Sequence, residues 1–73
     1  MRLHDLLAEY LERSPMNGPA VSRALGVHRS TVHSWMRGKK MPHGRNLTAL
    51  LDVLCVEGDA RLQAYRLAVE REA

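Results

Sequence analysis
Apolar residues recur along this chain with the period of an α-helix. Leu3, Leu6, Leu7, Tyr10 and Leu11 fall at i, i+3, i+4, i+7 and i+8, with Asp5, Glu9 and Glu12 facing away, which predicts a first amphipathic helix over Met1 to Arg13. Ser14-Pro15 ends it, because the residue before a proline is pushed out of the helical region. Asn17 can cap a second helix through its side-chain oxygen, and Pro19 lies in the first turn, where its missing N–H is harmless. That helix runs from Pro19 to Leu25, with Val21, Ala24 and Leu25 as its apolar stripe. Gly26 supplies a left-handed residue to end it, and Val27 re-enters the core.

A third helix follows, with His28 at its cap, Arg29 near its start and Gly38 beyond its end at about Met36. At 100° per residue, Trp35 and Met36 fall within about 60° of Val32, while Ser30, His33, Ser34 and Arg37 fall on the other side. The segment from Gly38 to Gly44, GKKMPHG, reads as a loop from its proline and glycines. Leu47, Leu50, Leu51 and Leu54 then mark a fourth helix, started by Gly44 or Asn46. After the break at Val56-Glu57-Gly58, Asp59 is a good cap for a fifth helix from Ala60 to about Glu72. Its stripe is Leu62, Tyr65 and Val69 with Ala68 beside it, leaving Arg61, Arg66, Glu70 and Arg71 for solvent. No run alternates with period two, so the expected fold is all-α: a compact bundle of about five helices in one domain over residues 1–73.

Length sharpens this picture. A chain of 73 residues buries only about 60% of the surface that its unfolded form exposes, so its stability margin is small and dimerisation would add useful burial. With no phenylalanine, two tyrosines and one tryptophan, the core must be built mostly from Leu, Val, Ala and Met.

The net charge of +3 matters less than its distribution. Every carboxylate lies in Asp5 to Glu12 or Asp52 to Glu72, whereas the interval from Arg13 to Leu51 holds Arg13, Arg23, Arg29, Arg37, Lys39, Lys40 and Arg45 with no acid. A charge run alone can be an ordinary solvated face. Here it coincides with a third helix whose outward face is small, polar and basic, a surface suited to a groove about 12 Å wide with hydrogen-bonding groups on its floor. The expected ligand is therefore a polyanion, double-stranded DNA.

The stretch Asn17 to Pro42 resembles the helix-turn-helix core of the Cro and phage-repressor family. The matching features are the Val21 to Leu25 helix, Gly26-Val27 at the turn, the R-S-T-V run from Arg29 to Val32, Trp35 one turn later, and the R-G-K-K-M-P tail from Arg37 to Pro42. With its flanking helices the similarity covers roughly Leu3 to Val56. Three positions depart from the family pattern. Ser22 stands where alanine is usual, at the closest approach of the two motif helices; Met36 replaces a common acidic residue; Cys55 replaces the usual glycine after the fourth helix.

The resemblance implies a lambda-repressor-like DNA-binding domain with helices 2 and 3 as the motif, acting as a small sequence-specific repressor by occupying an operator. Two subunits would place their third helices in successive major grooves of a palindromic site. On that reading Arg29, Ser30, Ser34 and His33 contact bases, while Asn17, Gly18, Arg23, His28, Arg37, Lys39 and Lys40 contact phosphate. The fifth helix, about residues 59–72, is longer than such a domain needs. Leu62, Tyr65 and Val69 are read as a homodimer interface, with closure of the monomer core as the alternative.

Other chemistry finds little purchase. His28 and His33 are five residues apart and do not share a helix face as paired metal ligands would, and His4, His43 and Cys55 have no paired spacing. No phosphate-binding glycine loop and no nucleophile with a recognisable base is present, so neither enzyme, metal nor cofactor is expected, and no small-molecule ligand is evident. The single cysteine, read as a small buried residue, cannot form an internal disulfide. With no signal peptide and no span-length apolar stretch, the expected location is cytoplasmic, in a bacterial nucleoid or a phage-infected cell. The competing reading is a protein-interaction module, such as an antitoxin-type adaptor that retains the fold.

Overall fold
The computed structural model describes the backbone of residues 1–72 and the side chains of residues 1–70. The helices α1 (Leu3–Arg13), α2 (Gly18–Leu25), α3 (Arg29–Met36), α4 (Gly44–Val53) and α5 (Gly58–Glu72) follow in order, and no strand occurs among the described residues. The fold is all-α, as the periodicity predicts.

Local chemistry explains the boundaries. At Asn17 the side-chain Oδ1 accepts the Ala20 amide at 2.9 Å, satisfying one of the orphan donors at the start of α2. Three of the helix ends share one geometry. Val27 donates its amide to the Ser22 carbonyl across Gly26 (φ +70°), Lys39 donates to Ser34 across Gly38 (φ +75°), and Val56 donates to Leu51 across Cys55 (φ +59°). Each closes a helix with a left-handed residue and a bond reaching back five positions.

Packing joins α2 to α3 and α4, and α1 to α3 and α5. Leu3, Leu6 and Leu7 of α1, Val21 of α2, Val32 and Trp35 of α3, and Leu47, Leu50 and Leu51 of α4 form the core, completed by Leu54, Val56, Ala64 and Ala68. No helix among the described residues is long and apolar enough to cross a membrane.

Several expectations are corrected here. Ala24 is exposed, and the buried face of α2, which packs against α3 and α4, is centred on Val21 and Ser22. Ser22 tolerates burial by donating its hydroxyl to the Pro19 carbonyl at 2.7 Å. Met36, by contrast, lies on the core side of α3 as expected, half-buried and packed against the core. Cys55 is exposed, since the left-handed turn it occupies projects its side chain outward. Asp59 lies within the first turn of α5, which begins at Gly58.

The largest revision is the orientation of α5. Ala64 and Ala68 face the core, with Ala60 and Leu67 beside them, so small side chains let the helix approach closely. Leu62 and Val69 lie roughly 150° around the helix from that face and are 62% and 66% exposed. They do not close the monomer core. Tyr65 is half-buried, its hydroxyl 2.9 Å from Thr48 Oγ1 of α4.

Arg61 is not left to solvent either. It donates to Asp52 Oδ1 at 2.8 Å and lies over the Tyr65 ring, 5.7 Å from its centre. The Asp52 hydrogen bond is the largest influence and raises the Arg61 pKa, with desolvation the next largest acting against it. Arg66 and Glu70 are exposed as expected, while the Arg71 side chain lies outside the described residues.

Candidate nucleic-acid interface
The second and third helices meet at Gly26 and Val27, and their outer surfaces enclose a groove of about 970 Å³. Gly18 and Arg23 of α2 border it on one side, and His28, Arg29, Ser30 and His33 on the other. Beneath them lie Val32, which is buried, and Met36, which is half-buried. Among the described residues that line this groove there is no carboxylate. Its charge comes from two guanidinium groups, and its hydrogen-bonding capacity from two imidazoles and two hydroxyls.

The fold positions this face through the opposite side of α3. Val32 and Trp35 are 2% and 4% exposed and fix the rotation of the helix against α1 and α2. Arg29, Ser30, His33 and Arg37 are consequently exposed. Ser34 sits at the margin and is half-buried, and its carbonyl accepts the Lys39 and Lys40 amides at 3.0 and 3.4 Å. Those two bonds set where the lysine pair begins, immediately past the end of α3, and both lysines are exposed.

On the α2 side, the Asn17 oxygen is committed to its capping bond, although the residue is exposed. Gly18 is the first residue of α2 and is half-buried beside Pro19. The structure thus brings Gly18, Arg23, His28, Arg29, Ser30 and His33 to one concavity. Arg37, Lys39 and Lys40 follow α3 on the adjoining loop, and Asn17 stands at the start of α2. Leu62, Tyr65 and Val69 belong to α5, which packs on α1, and none of them lines this groove.

Two residues outside the assigned contact set bear on this surface, one as a further cation and one as a support for the end of α3. Arg45 is exposed on the first turn of α4, at the far end of the lysine-bearing loop, and its place in the acid-free interval is the signal that marks it. His4 packs its ring on the backbone of Gly38. A β-carbon added at Gly38 would come within 2.6 Å of His4 Nδ1. No spacing rule finds that contact, because it joins α1 to the end of α3.

Among the described residues no group of His, Cys, Asp or Glu side chains is arranged to hold a metal ion. What the face offers chemically is a set of hydrogen-bond donors and positive charges on a rigid helix, with more cations on the loop that follows.

No curated protein and no solved structure matches the chain significantly. A family model described as a helix-turn-helix domain matches residues 2–68, which takes in α1 to α4 and most of α5. The chain belongs to the helix-turn-helix domain family.

Proposed function
We propose that this protein is a sequence-specific regulator of transcription that binds double-stranded DNA, a small repressor of the Cro and phage-repressor type. The observation that carries the reading is the acid-free concavity in which Arg29, Ser30 and His33 of α3 stand exposed beside Arg23 and the start of α2. Inserted in the major groove, α3 presents Arg29, Ser30 and His33 to base edges, with Ser34 at its margin. Arg23, His28, Arg37, Lys39 and Lys40 hold phosphates, joined by the Asn17 and Gly18 end of α2. Repression follows from occupancy of a promoter.

In this reading residues 1–73 are one domain and the active form is a homodimer. The exposed Leu62 and Val69 on α5 support a dimer contact, with Tyr65 at its edge. The same exposed pair supports the competing class, an interaction module whose partner is another protein. The site of action is the cytoplasm, at the nucleoid.

Selection of the purified chain against random-sequence duplexes at physiological salt tests the proposal. The expected product is a palindromic motif with half-sites about 10 base pairs apart. A single unsymmetrical motif overturns the dimer and keeps the DNA function. No enrichment overturns the DNA function itself.

A further inference from the structure
The reading face of α3 has a chemical bias that goes beyond binding to DNA in general. Arg29 and His33 are one helical turn apart, about 40° around the axis and roughly 6 Å along it, and both are exposed. Ser30 flanks them, while Ser34 is partly withdrawn. The helix contains no asparagine, glutamine, aspartate or glutamate. It therefore lacks the side chains that match the paired donor and acceptor of adenine, and those that accept from the amino group of cytosine. Arginine has donors and no acceptor; an imidazole offers a ring N–H, with an acceptor on its other nitrogen when it is neutral. Serine can bond to either kind of edge and selects little.

The arginine fork selects the one base that presents two adjacent acceptors in the major groove, the N7 and O6 of guanine, and the imidazole N–H beside it fits one such acceptor. Adenine offers N7 beside a donor, and thymine offers O4 beside a methyl group. The rise of roughly 6 Å between the two positions covers slightly less than two base-pair steps of about 3.4 Å, and less still when the helix is inclined to the duplex axis. The anchoring of α3 by Val32 and Trp35 fixes the helix positions from which both side chains reach outward.

We infer that each half-site carries two guanines within two base-pair steps, one read by the Arg29 guanidinium and the other by the His33 imidazole. This inference rests on the DNA-binding reading above and names the sequence class that the same site takes. Arg37, Lys39 and Lys40 orient the complex without contributing to the choice.

The test uses duplexes retained from a random pool by the full chain. Guanines are replaced singly by 7-deazaguanine, which keeps base pairing and removes the N7 acceptor. Two positions within two steps of each other are expected to weaken wild-type binding. The loss is roughly 5- to 150-fold at the Arg29 guanine and roughly 2- to 10-fold at the His33 guanine. The first effect should disappear in Arg29→Ala and the second in His33→Ala. Arg29→Lys keeps the charge and loses the fork, so guanine discrimination should fall while the salt dependence of binding stays as in wild type. Both side chains are exposed, and helical circular dichroism checks that the variants remain folded. The inference is overturned if the retained motif lacks the guanine pair, or if both deaza effects persist undiminished in the variants. Failure of the chain to retain any DNA removes the inference together with the function beneath it, an outcome distinct from retention of a guanine-free motif.

Discussion
Val56 donates its amide to the Leu51 carbonyl at 2.9 Å across Cys55, and Cys55 adopts the left-handed φ of +59° that makes this closure possible. The equivalent closures of α2 and α3 use Gly26 and Gly38. A side chain with a β-carbon is strained in this region by roughly 1–2 kcal/mol, partly offset by the greater backbone entropy that glycine loses on folding. Cys55→Gly is therefore expected to stabilise the fold by about 1 kcal/mol, seen as a higher urea midpoint with an unchanged slope. Cys55→Ala should bring no such gain.

At the end of α3 the same geometry is doubly constrained. Gly38 has φ +75°, and the His4 ring occupies the space that a β-carbon would need. Gly38→Ala should destabilise by more than about 1 kcal/mol from backbone strain alone, with a further loss from displacing His4. Adding His4→Ala in that background should recover the second part and leave the first. Full recovery in a thermal melt would show that the backbone at Gly38 is not strained by alanine.

The helices were legible in the sequence because leucines at helical spacing, the Asn17 cap and the Gly26 turn are local signals, and each coincides with an element boundary. The base of the motif was legible for the same reason: Val32 and Trp35 on one side of α3 leave Arg29, Ser30 and His33 on the other. Three features were not legible. The exposure of Cys55 follows from a backbone dihedral, which hydrophobic periodicity does not encode. The rotation of α5 was misjudged because it carries apolar residues all round, and close packing favours Ala64 and Ala68 over the larger Leu62 and Val69. The shift on α2 from Ala24 to Ser22 depends on which neighbours grip the helix, a property of tertiary arrangement.

Arg61 ties α5 to α4 through Asp52, with Tyr65 and Thr48 completing the contact. Asp52→Asn should lower the thermal midpoint slightly at low ionic strength, and the difference should shrink in high salt. A raised arginine pKa contributes stability at every pH below its unfolded value and loses it only as pH rises through the folded value. On the Arg61 side, the effect of the substitution should therefore not vary between about pH 6 and 9, since an arginine titrates only above about 12. Melts of the two proteins across that range check this.

The exposed pair on α5 gives the dimer proposal a direct handle. Leu62→Glu with Val69→Glu should convert a dimer to a monomer in sedimentation equilibrium and leave the helical content intact, because neither side chain supports the core. If the wild-type chain is already monomeric at the concentrations where it binds DNA, the dimer proposal fails.

A cationic face built on α2, α3 and the following loop engages DNA by displacing counterions, so its affinity must depend on salt. Wild-type binding to a selected duplex should weaken steeply between about 50 and 200 mM salt, linearly in the logarithms. Lys39→Ala with Lys40→Ala should reduce that slope by up to about 2 and weaken all duplexes alike. Affinity for DNA that is absent, or that is indifferent to salt and to the lysine pair, would rule out this face as the DNA contact and direct attention to a protein partner.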